Sequence, residues 1–223
     1  LRWAQVLRSI GMYQEAKTYY QKYLREDPRS QAGKMGVRSC DWLIANAHRR
    51  ARVNIFHTGR LNTPYDDFAP ANCSDDFSRL VITSNRNGST GKKQDEWWGT
   101  PFSDLFISSF SGNTWSEAAP YDLTGNINTE LHEGAAAFNR DRSRIYFTRC
   151  EKWDEKKRYC AIMVSEIRDD SIQGPRVLFA DTNTNFGQPA ISGDELKIVF
   201  SSGMKDGEGG KDPIYGLDGH DWA

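Results

Sequence analysis

Along the first 52 residues, apolar and aromatic side chains recur three and four positions apart, which is the spacing of one face of an α-helix. Glycine and proline are few within this segment. The pattern predicts a helical segment over residues 1–52, with a third helix near residues 30–47 that caps it. Residues 53–60 are expected to be a linker, and residues 53–56 are either part of that linker or a first strand.

The beginning of this segment resembles a tetratricopeptide repeat. Gly11 permits a tight turn, Ala16 permits close approach of two helices, and Pro28 ends the second helix. The matching positions are Trp3, Ala4, Leu7, Gly11, Tyr13, Ala16, Tyr20, Tyr23 and Pro28. One unit of this kind cannot bury its own faces, so we expect further repeats before Leu1. Its tyrosines Tyr13, Tyr20 and Tyr23 are candidate partner-binding residues.

From residue 61 onward, the pattern changes to short apolar stretches that follow polar turns, which is typical of β-strands. One signature occurs three times, at residues 74–84, 139–149 and 192–202. Aligned without gaps, it places Asp76, Asp141 and Asp194 in one column, before a basic residue and a short apolar strand. Aspartate favours such turns because its side chain hydrogen-bonds the nearby backbone. We therefore assign these three residues to turn formation rather than to chemistry.

The repeat extends on both sides of the signature. An Asn-Thr pair precedes each aspartate, at residues 62–63, 128–129 and 183–184, and a second short strand follows, at residues 104–108, 161–164 and 214–215. A recurring unit of this size fits a propeller blade of about four strands. The sequence thus predicts a multidomain α+β chain, with a partial β-propeller over residues 61–223 and blades at about 61–125, 126–181 and 182–223. Closing a propeller takes at least about four blades, so we expect more blades in the intact protein.

Charge and hydropathy narrow the functional classes. The chain has 29 Lys and Arg against 30 Asp and Glu, for a net charge of -1. This balance disfavours a dedicated nucleic-acid surface. No apolar run approaches the ~18 residues of a membrane-spanning helix. We therefore expect neither a nucleic-acid partner nor a transmembrane segment.

The four cysteines are Cys40, Cys73, Cys150 and Cys160, and their spacing argues against a zinc site. Cys150 ends one predicted strand and Cys160 begins the next. If these strands form a hairpin, the two sulfurs face each other and can form a disulfide in an oxidising compartment. Two free thiols are the alternative.

Two adjacent tryptophans, Trp97 and Trp98, lie in a long polar insertion. Adjacent large aromatic side chains in such a loop either cover the edge of a sheet or contact a partner. Trp97 and Trp98 are therefore further candidate partner-binding residues.

The sequence contains few signals that point to catalytic residues. The histidines His48, His57, His132 and His220 have no metal-binding spacing, and there is no nucleophile elbow or phosphate-binding glycine loop. His132 and Glu133 could act as an acid and a base, but ordinary hydrogen bonding is the favoured interpretation. The acidic residues at 206, 208 and 212 lack the EF-hand spacing. We expect no catalytic residue, no metal and no cofactor.

The strand signatures resemble the PD40 class of WD40-like propeller repeats, in which a polar turn leads into a strand ending in Phe-Ser-Ser, a glycine-rich loop and Asp-Ile-Tyr. The third unit, IVFSSGMKDGEGGKDPIYG, is the most similar, although Pro213 departs from the pattern. A tetratricopeptide segment leading into such repeats resembles the PorE-like, periplasmic OmpA-family proteins of the Bacteroidetes type IX secretion system. Relatives of this kind continue through more blades into a peptidoglycan-binding OmpA-like domain.

The resemblance implies a non-catalytic scaffold in the periplasm, associated with the outer membrane, that links the secretion machinery to the cell wall. Its partners would be other secretion-system proteins, with peptidoglycan bound through a domain missing from this sequence. The alternatives are a propeller enzyme of the glycosidase kind, with carboxylates converging on a channel, or the gating propeller of a peptidase. Because Asp76, Asp141 and Asp194 recur in every unit, they argue against the glycosidase.

Overall fold

A computed structural model of the chain describes residues 1–49, 54–95, 99–121, 125–152, 158–169, 171–203 and 214–218. The chain divides into two compact units, Leu1–Phe56 and His57–Ala223. The first is helical and the second consists of antiparallel sheets, so the chain has the α+β character predicted from its sequence. Within the described part of the chain, no helix combines the length and apolar character needed to cross a bilayer.

The helical unit contains three α-helices and a short 3-10 helix. Gly11, at φ 86°, makes the turn between the first two helices, and the Ser30 hydroxyl caps the third by accepting a hydrogen bond from the Gly33 amide at 3.2 Å. Residues 54–56 are not in a strand. The bounds are α1 Arg2–Ser9, α2 Tyr13–Glu26, α3 Gln31–Ala45 and the 3-10 helix Ala47–Arg49.

The core of the helical unit is built around one tyrosine. The ring of Tyr20 is 2% exposed and packs in a cluster with Ala4, Ala16 and Cys40. This corrects the expectation that Tyr20 contacts a partner, because its ring is used to join α2 to the other helices. Tyr13 and Tyr23 are only partly buried.

The second unit contains three antiparallel sheets, one for each copy of the repeat. The first has the order β1-β2-β3-β4 with β5 on β3, the second has the order β10-β8-β7-β6 with β9 on β8, and the third has the order β11-β12-β13. Among the described residues these sheets do not close into a ring, so a complete propeller stays a prediction. The bounds are β1 Asp67–Asn72, β2 Arg79–Ser84, β3 Asp104–Ser111, β4 Thr114–Trp115, β5 Ala119–Pro120, β6 Glu133–Phe138, β7 Arg144–Lys152, β8 Arg158–Arg168, β9 Ser171–Ile172, β10 Arg176–Phe179, β11 Phe186–Ile191, β12 Lys197–Ser202 and β13 Ile214–Asp218.

The first strand of every sheet carries a bulge at the same position. Ala69 in β1, Ala135 in β6 and Gln188 in β11 have φ of 47°, 48° and 55°, and each lies where the pairing with the next strand shifts register. Non-glycine residues rarely adopt this conformation. Its recurrence shows that the bulge belongs to the repeat.

The bulges join one sheet to the next. The Ala135 amide donates a hydrogen bond to Oγ1 of Thr83 in β2, and the Gln188 amide donates to Oγ1 of Thr148 in β7, each at 2.9 Å. Thr83 and Thr148 occupy equivalent positions in the signature. The same bond therefore connects the first sheet to the second and the second to the third.

Alternate residues of β7 pack on opposite sides of the middle sheet. Ile145 and Phe147 lie in a cluster with Val81 of β2, whereas Tyr146 lies in a cluster with Ile198 of β12. This is the two-residue period of a strand that is buried on both faces. The middle sheet is thus covered on both sides by its neighbours.

The cysteine pair lies across the hairpin of β7 and β8. Cys150 and Cys160 are directly opposite each other in the register and form a disulfide. Cys40 and Cys73 are free.

We predict that Gly36→Ala destabilises the helical unit. A Cβ at Gly36 would lie 2.3 Å from Cε1 of Tyr20, whose buried ring has no room to move. Overpacking of this kind costs about 1–3 kcal/mol, which exceeds the ~1 kcal/mol that alanine gains in helix propensity. Urea denaturation followed by circular dichroism at the helix band measures the difference.

Gly33→Ala in the same helix is the matched control. Its Cβ would meet Cδ2 of Leu24 at 2.8 Å, which is the end of a flexible side chain. We expect Gly33→Ala to be the milder change, and equal losses for the two variants would contradict the packing role of Tyr20.

Thr148→Val tests the bond between the second and third sheets. Valine keeps the shape of threonine but removes the acceptor of the Gln188 amide, and the loss of this exposed hydrogen bond costs about 0.5–1.5 kcal/mol. We expect a lower denaturation midpoint and faster hydrogen exchange at the Gln188 amide. Thr114→Val, at an exposed position of β4, should change neither. An unchanged exchange rate in Thr148→Val would refute the sheet-joining role of the hydroxyl.

Candidate binding groove

The three repeat aspartates act within their own turns. Oδ1 of Asp76 accepts hydrogen bonds from the Ser78 amide at 3.0 Å and the Ser78 hydroxyl at 2.6 Å, which lower the pKa of Asp76 to about 2. Asp141 accepts the same two bonds from Ser143. Asp194 accepts from the Leu196 amide and the Ser192 hydroxyl. All three carboxylates are thus used to hold turns.

A buried ion pair lies at the start of the first sheet. Asp67, the first residue of β1, accepts hydrogen bonds from the amide and hydroxyl of Thr63 at 2.6 and 2.8 Å, and pairs with Arg86 at 2.6 Å. Burial acts to raise the pKa of Asp67, but the hydrogen bonds from Ser84, Thr63 and Arg86 outweigh it and lower the pKa. The carboxylate therefore fixes the loop that precedes β1 to this strand. The loop before the first strand of each sheet is called its lead-in loop below.

The second sheet repeats this arrangement with a glutamate. Glu133, the first residue of β6, accepts hydrogen bonds from the amide and hydroxyl of Thr129 at 2.9 and 2.7 Å, and from Nε of Arg149 at 3.2 Å. Arg149 also donates to the carbonyls of Asn126 and Ile127. The side chain of Glu133 has no exposed surface. Burial raises its pKa to about 7.

The third sheet departs from the repeat at this position. Asp67, Glu133 and Phe186 face the last residue of the signature in their respective sheets. Phe186 thus stands where the other sheets have a carboxylate, and its phenyl ring packs against Phe200. The third lead-in loop therefore has no acid for its threonine to bind at this strand start.

A cavity of about 900 Å3, called the strand-start groove below, lies where β6 and β11 begin. Its wall includes side chains from all three sheets and from the lead-in loops. Hydroxyl, amide and imidazole groups predominate, together with two phenyl rings. The residues that define it here are Phe68, Ser103, His132, Thr148, Asn183, Thr184, Asn185, Phe186, Gln188 and Ser201.

His132 at the edge of the groove is held by two neighbours. Its Nδ1 accepts a hydrogen bond from the Ser103 amide at 3.1 Å and lies 3.0 Å from the Ser103 hydroxyl, and its Nε2 lies 3.2 Å from Oδ2 of Asp95. Because Nδ1 accepts from a backbone amide, the proton belongs on Nε2, which donates to Asp95. The ring of Phe102 packs edge-on against the imidazole.

This serine, histidine and aspartate set resembles a nucleophilic triad in composition. Its hydrogen bonds favour a structural role. The Nδ1 lone pair is already bound by the Ser103 amide, and the Ser103 hydroxyl also donates to the Glu133 carbonyl at 3.0 Å. The backbone adds two more bonds, from the Glu133 amide to Ser103 and from the Cys150 amide to the His132 carbonyl. The contacts of Ser103 and Asp95 join the first unit to the second, whereas the Cys150 bond lies within the second unit.

Asp104 is a second buried carboxyl at this junction. One of its oxygens accepts hydrogen bonds from the amide and hydroxyl of Thr90, and the other has no hydrogen-bond partner among the described residues. Burial raises its pKa. In the part of the chain that the structure describes, no three His, Cys, Asp or Glu side chains converge as a metal site.

The interpretation favoured from the sequence for His132 and Glu133 is ordinary hydrogen bonding, and in the structure each residue makes its own set of such contacts. His132 contacts Ser103 and Asp95, whereas the Glu133 carboxylate contacts Thr129 and Arg149. Ser103 and Asp95 were missed because no spacing links residues from three different loops. Trp97, Trp98 and the acidic residues at 206, 208 and 212 lie outside the described residues.

No family model and no curated protein matches the chain. Two solved structures are similar to it: TolB from Acinetobacter baumannii, with 15% identity and a TM-score of 0.41 over 71% of this chain and 31% of that chain, and a putative TolB from Agrobacterium tumefaciens, with 14% identity and a TM-score of 0.35 over 72% of this chain and 61% of that chain. The chain thus spans less than two thirds of either structure. Likeness at this level leaves the function to be inferred from the residues themselves.

Replacing Glu133 with glutamine should change how stability depends on pH. Burial raises the pKa of Glu133 from 4.5 to about 7, so the folded chain holds this proton more tightly than the unfolded chain. The resulting stabilisation is fully present below about pH 4.5 and is lost as the pH rises through about 7. Because glutamine does not titrate, we expect the Tm of the natural chain to fall relative to Glu133→Gln between about pH 5 and 8.

Asp67→Asn is the control, because Asp67 holds the equivalent position with a lowered pKa. The contribution of Asp67 to folding stability is present above the ordinary aspartate pKa of 3.8. It is lost only as the pH falls through the lower pKa of Asp67 in the folded chain. Above about pH 5, the Tm of Asp67→Asn should therefore change with pH in the same way as the Tm of the natural chain. A constant Tm difference between the natural chain and Glu133→Gln across that range would overturn the assignment.

Proposed function

We propose that the chain is part of a non-catalytic scaffold that binds proteins through its helical unit. The observation that carries this proposal is the exposure of several large apolar side chains in the helical unit. Trp3, Ile10, Met35 and Trp42 are 58%, 63%, 64% and 65% exposed. Large exposed apolar side chains grouped on one small unit are typical of an interaction site.

One of these side chains, Trp42, lines a cavity within the same unit. It has a volume of about 480 Å3 and is lined by Arg8 of α1 and by Arg38, Ser39, Trp42 and Leu43 of α3. Tryptophan and arginine are the side chains most enriched at protein-binding hot spots. The two guanidinium groups favour a partner segment that combines an apolar anchor with acidic residues.

The repeated carboxylates support a role without catalysis. Asp76, Asp141 and Asp194 are held by hydrogen bonds in their own turns, so none is free to act as a glycosidase acid or base. Asp67 and Glu133 are occupied in buried ion pairs. A propeller glycosidase and the gating propeller of a peptidase stay alternatives, and each requires groups other than these.

The cellular setting that we propose is the periplasm. The disulfide between Cys150 and Cys160 fits an oxidising compartment. The order of helical repeat and repeated sheets resembles the PorE-like OmpA-family proteins, so the proposed role is to link type IX secretion proteins to the cell wall at the outer membrane. Peptidoglycan would be bound there through an OmpA-like domain outside this sequence.

Trp42→Ala tests this proposal in the full-length protein. Affinity purification from the native envelope, with mass spectrometry, should recover secretion-system proteins with the natural chain and several-fold less of them with Trp42→Ala. The loss of one central aromatic contact at an interface costs about 2 kcal/mol or more.

Phe77→Ala is the matched control, because Phe77 is an aromatic residue of the sheet unit that is 71% exposed. It should leave recovery unchanged. Equal recovery with all three chains would refute the helical binding surface. A protein that co-purifies with no secretion component and instead cleaves glycans or peptides would refute the scaffold.

A further inference from the structure

The strand-start groove lies where the third repeat departs from the first two. In the second sheet, the Asn128 side chain makes hydrogen bonds to the amide and carbonyl of Leu105, both at 3.0 Å, and the Thr129 hydroxyl binds Glu133. In the first sheet, the Asn62 side chain binds Thr58 and the Thr63 hydroxyl binds Asp67. The Asn-Thr pairs of these units thus complete the fold.

The third Asn-Thr pair is free for another role. Asn183 and Thr184 lie three and two residues before Phe186, so they do not occupy the positions of the first two pairs, and their side chains make no hydrogen bond to any other described residue. The side-chain amide of Gln188 is likewise unpaired within the described ranges. These three side chains line one wall of the groove.

The groove is suited to an uncharged ligand. Its described lining contains no lysine, arginine or aspartate. Glu133 contributes to the wall, but its carboxylate is buried against Arg149 and Thr129. Within this described lining, a charged ligand would therefore find no opposite charge, whereas a neutral ligand with many hydrogen-bonding groups would find amides and hydroxyls.

The groove also offers an apolar surface beside its polar wall. The phenyl ring of Phe68 in β1 is 47% exposed and lines the same cavity as the free amides. A sugar ring has C–H groups that pack on an aromatic face and hydroxyls that both donate and accept hydrogen bonds. Phe68 together with Asn183, Thr184 and Gln188 matches both requirements.

A peptide strand is less well suited to this place. Peptides that extend a sheet need a regular free edge of backbone amides and carbonyls. At β11 the bulge interrupts that edge, and the Gln188 amide already donates to Thr148. The free groups of the groove belong to side chains rather than to a strand edge.

We propose that the strand-start groove binds a neutral saccharide, with Asn183, Thr184 and Gln188 hydrogen-bonding its hydroxyl or acetamido groups and Phe68 packing on a sugar ring. This site goes beyond the scaffold role, because it needs neither the helical surface nor a domain outside the sequence.

The probe is the N-acetylglucosamine tetramer, titrated into the full chain and followed by NMR shifts and calorimetry. We expect saturable binding. Each lost hydrogen bond costs about 0.5–1.5 kcal/mol, so the double variant Asn183→Ala with Gln188→Ala should bind roughly tenfold more weakly. Phe68→Ala should also weaken binding several-fold. Asn183 and Gln188 are exposed, so their truncation should leave the fold intact.

Asn54→Ala and Phe77→Ala are the controls, since both residues are exposed and neither lines the groove. They should bind like the natural chain. Absence of binding, or binding that the groove variants do not weaken, would overturn the proposal. A neutral peptide of asparagine, serine and glycine that binds in the groove where the saccharide does not would overturn it as well. All outcomes are independent of the partner of the helical unit.

Discussion

The structure of the sheet unit depends on a hydrogen bond between a threonine hydroxyl and a backbone amide of the following sheet. The bond forms only because the first strand of that sheet bulges at a residue with positive φ, which turns its amide toward the preceding sheet. At Gly134 the approach is so close that a Cβ would lie 2.8 Å from Cγ2 of Thr83. A costly backbone conformation thus persists because the contact between two sheets maintains it.

The buried ion pairs fix the lead-in loops to the strands of their own sheets. Asp67 and Glu133 each bind a threonine of the preceding loop and an arginine of the neighbouring strand end, so loop, first strand and second strand are fixed together. Their surroundings differ, however, and the pKa values move in opposite directions. Hydrogen bonds outweigh burial at Asp67, whereas burial dominates at Glu133. Equivalent positions in a repeat can therefore respond differently to pH.

The sequence predicted the local features well because they depend on neighbouring residues. The aspartate turns, the helix positions and the facing cysteines follow from spacing alone, and the structure describes each of them. The sequence predicted poorly the features that depend on contacts between residues distant along the chain. The burial of Tyr20 against Gly36, the bulges at Ala69, Ala135 and Gln188, and the Ser103–His132–Asp95 contacts join separate segments. No local pattern encodes such contacts.

A repeat also provides an internal standard against which its exceptions can be recognised. Where the first and second units use their Asn-Thr pairs to fix a loop, the third has phenylalanine at the position of the acid and an Asn-Thr pair two residues nearer to the strand. The exchange removes a buried charge together with the hydrogen bonds that it accepts, and adds an aromatic ring that packs against Phe200. The polar side chains of this shifted pair line a cavity rather than a core. Since a buried unpaired polar group is costly, such groups persist only where water or a ligand can reach them.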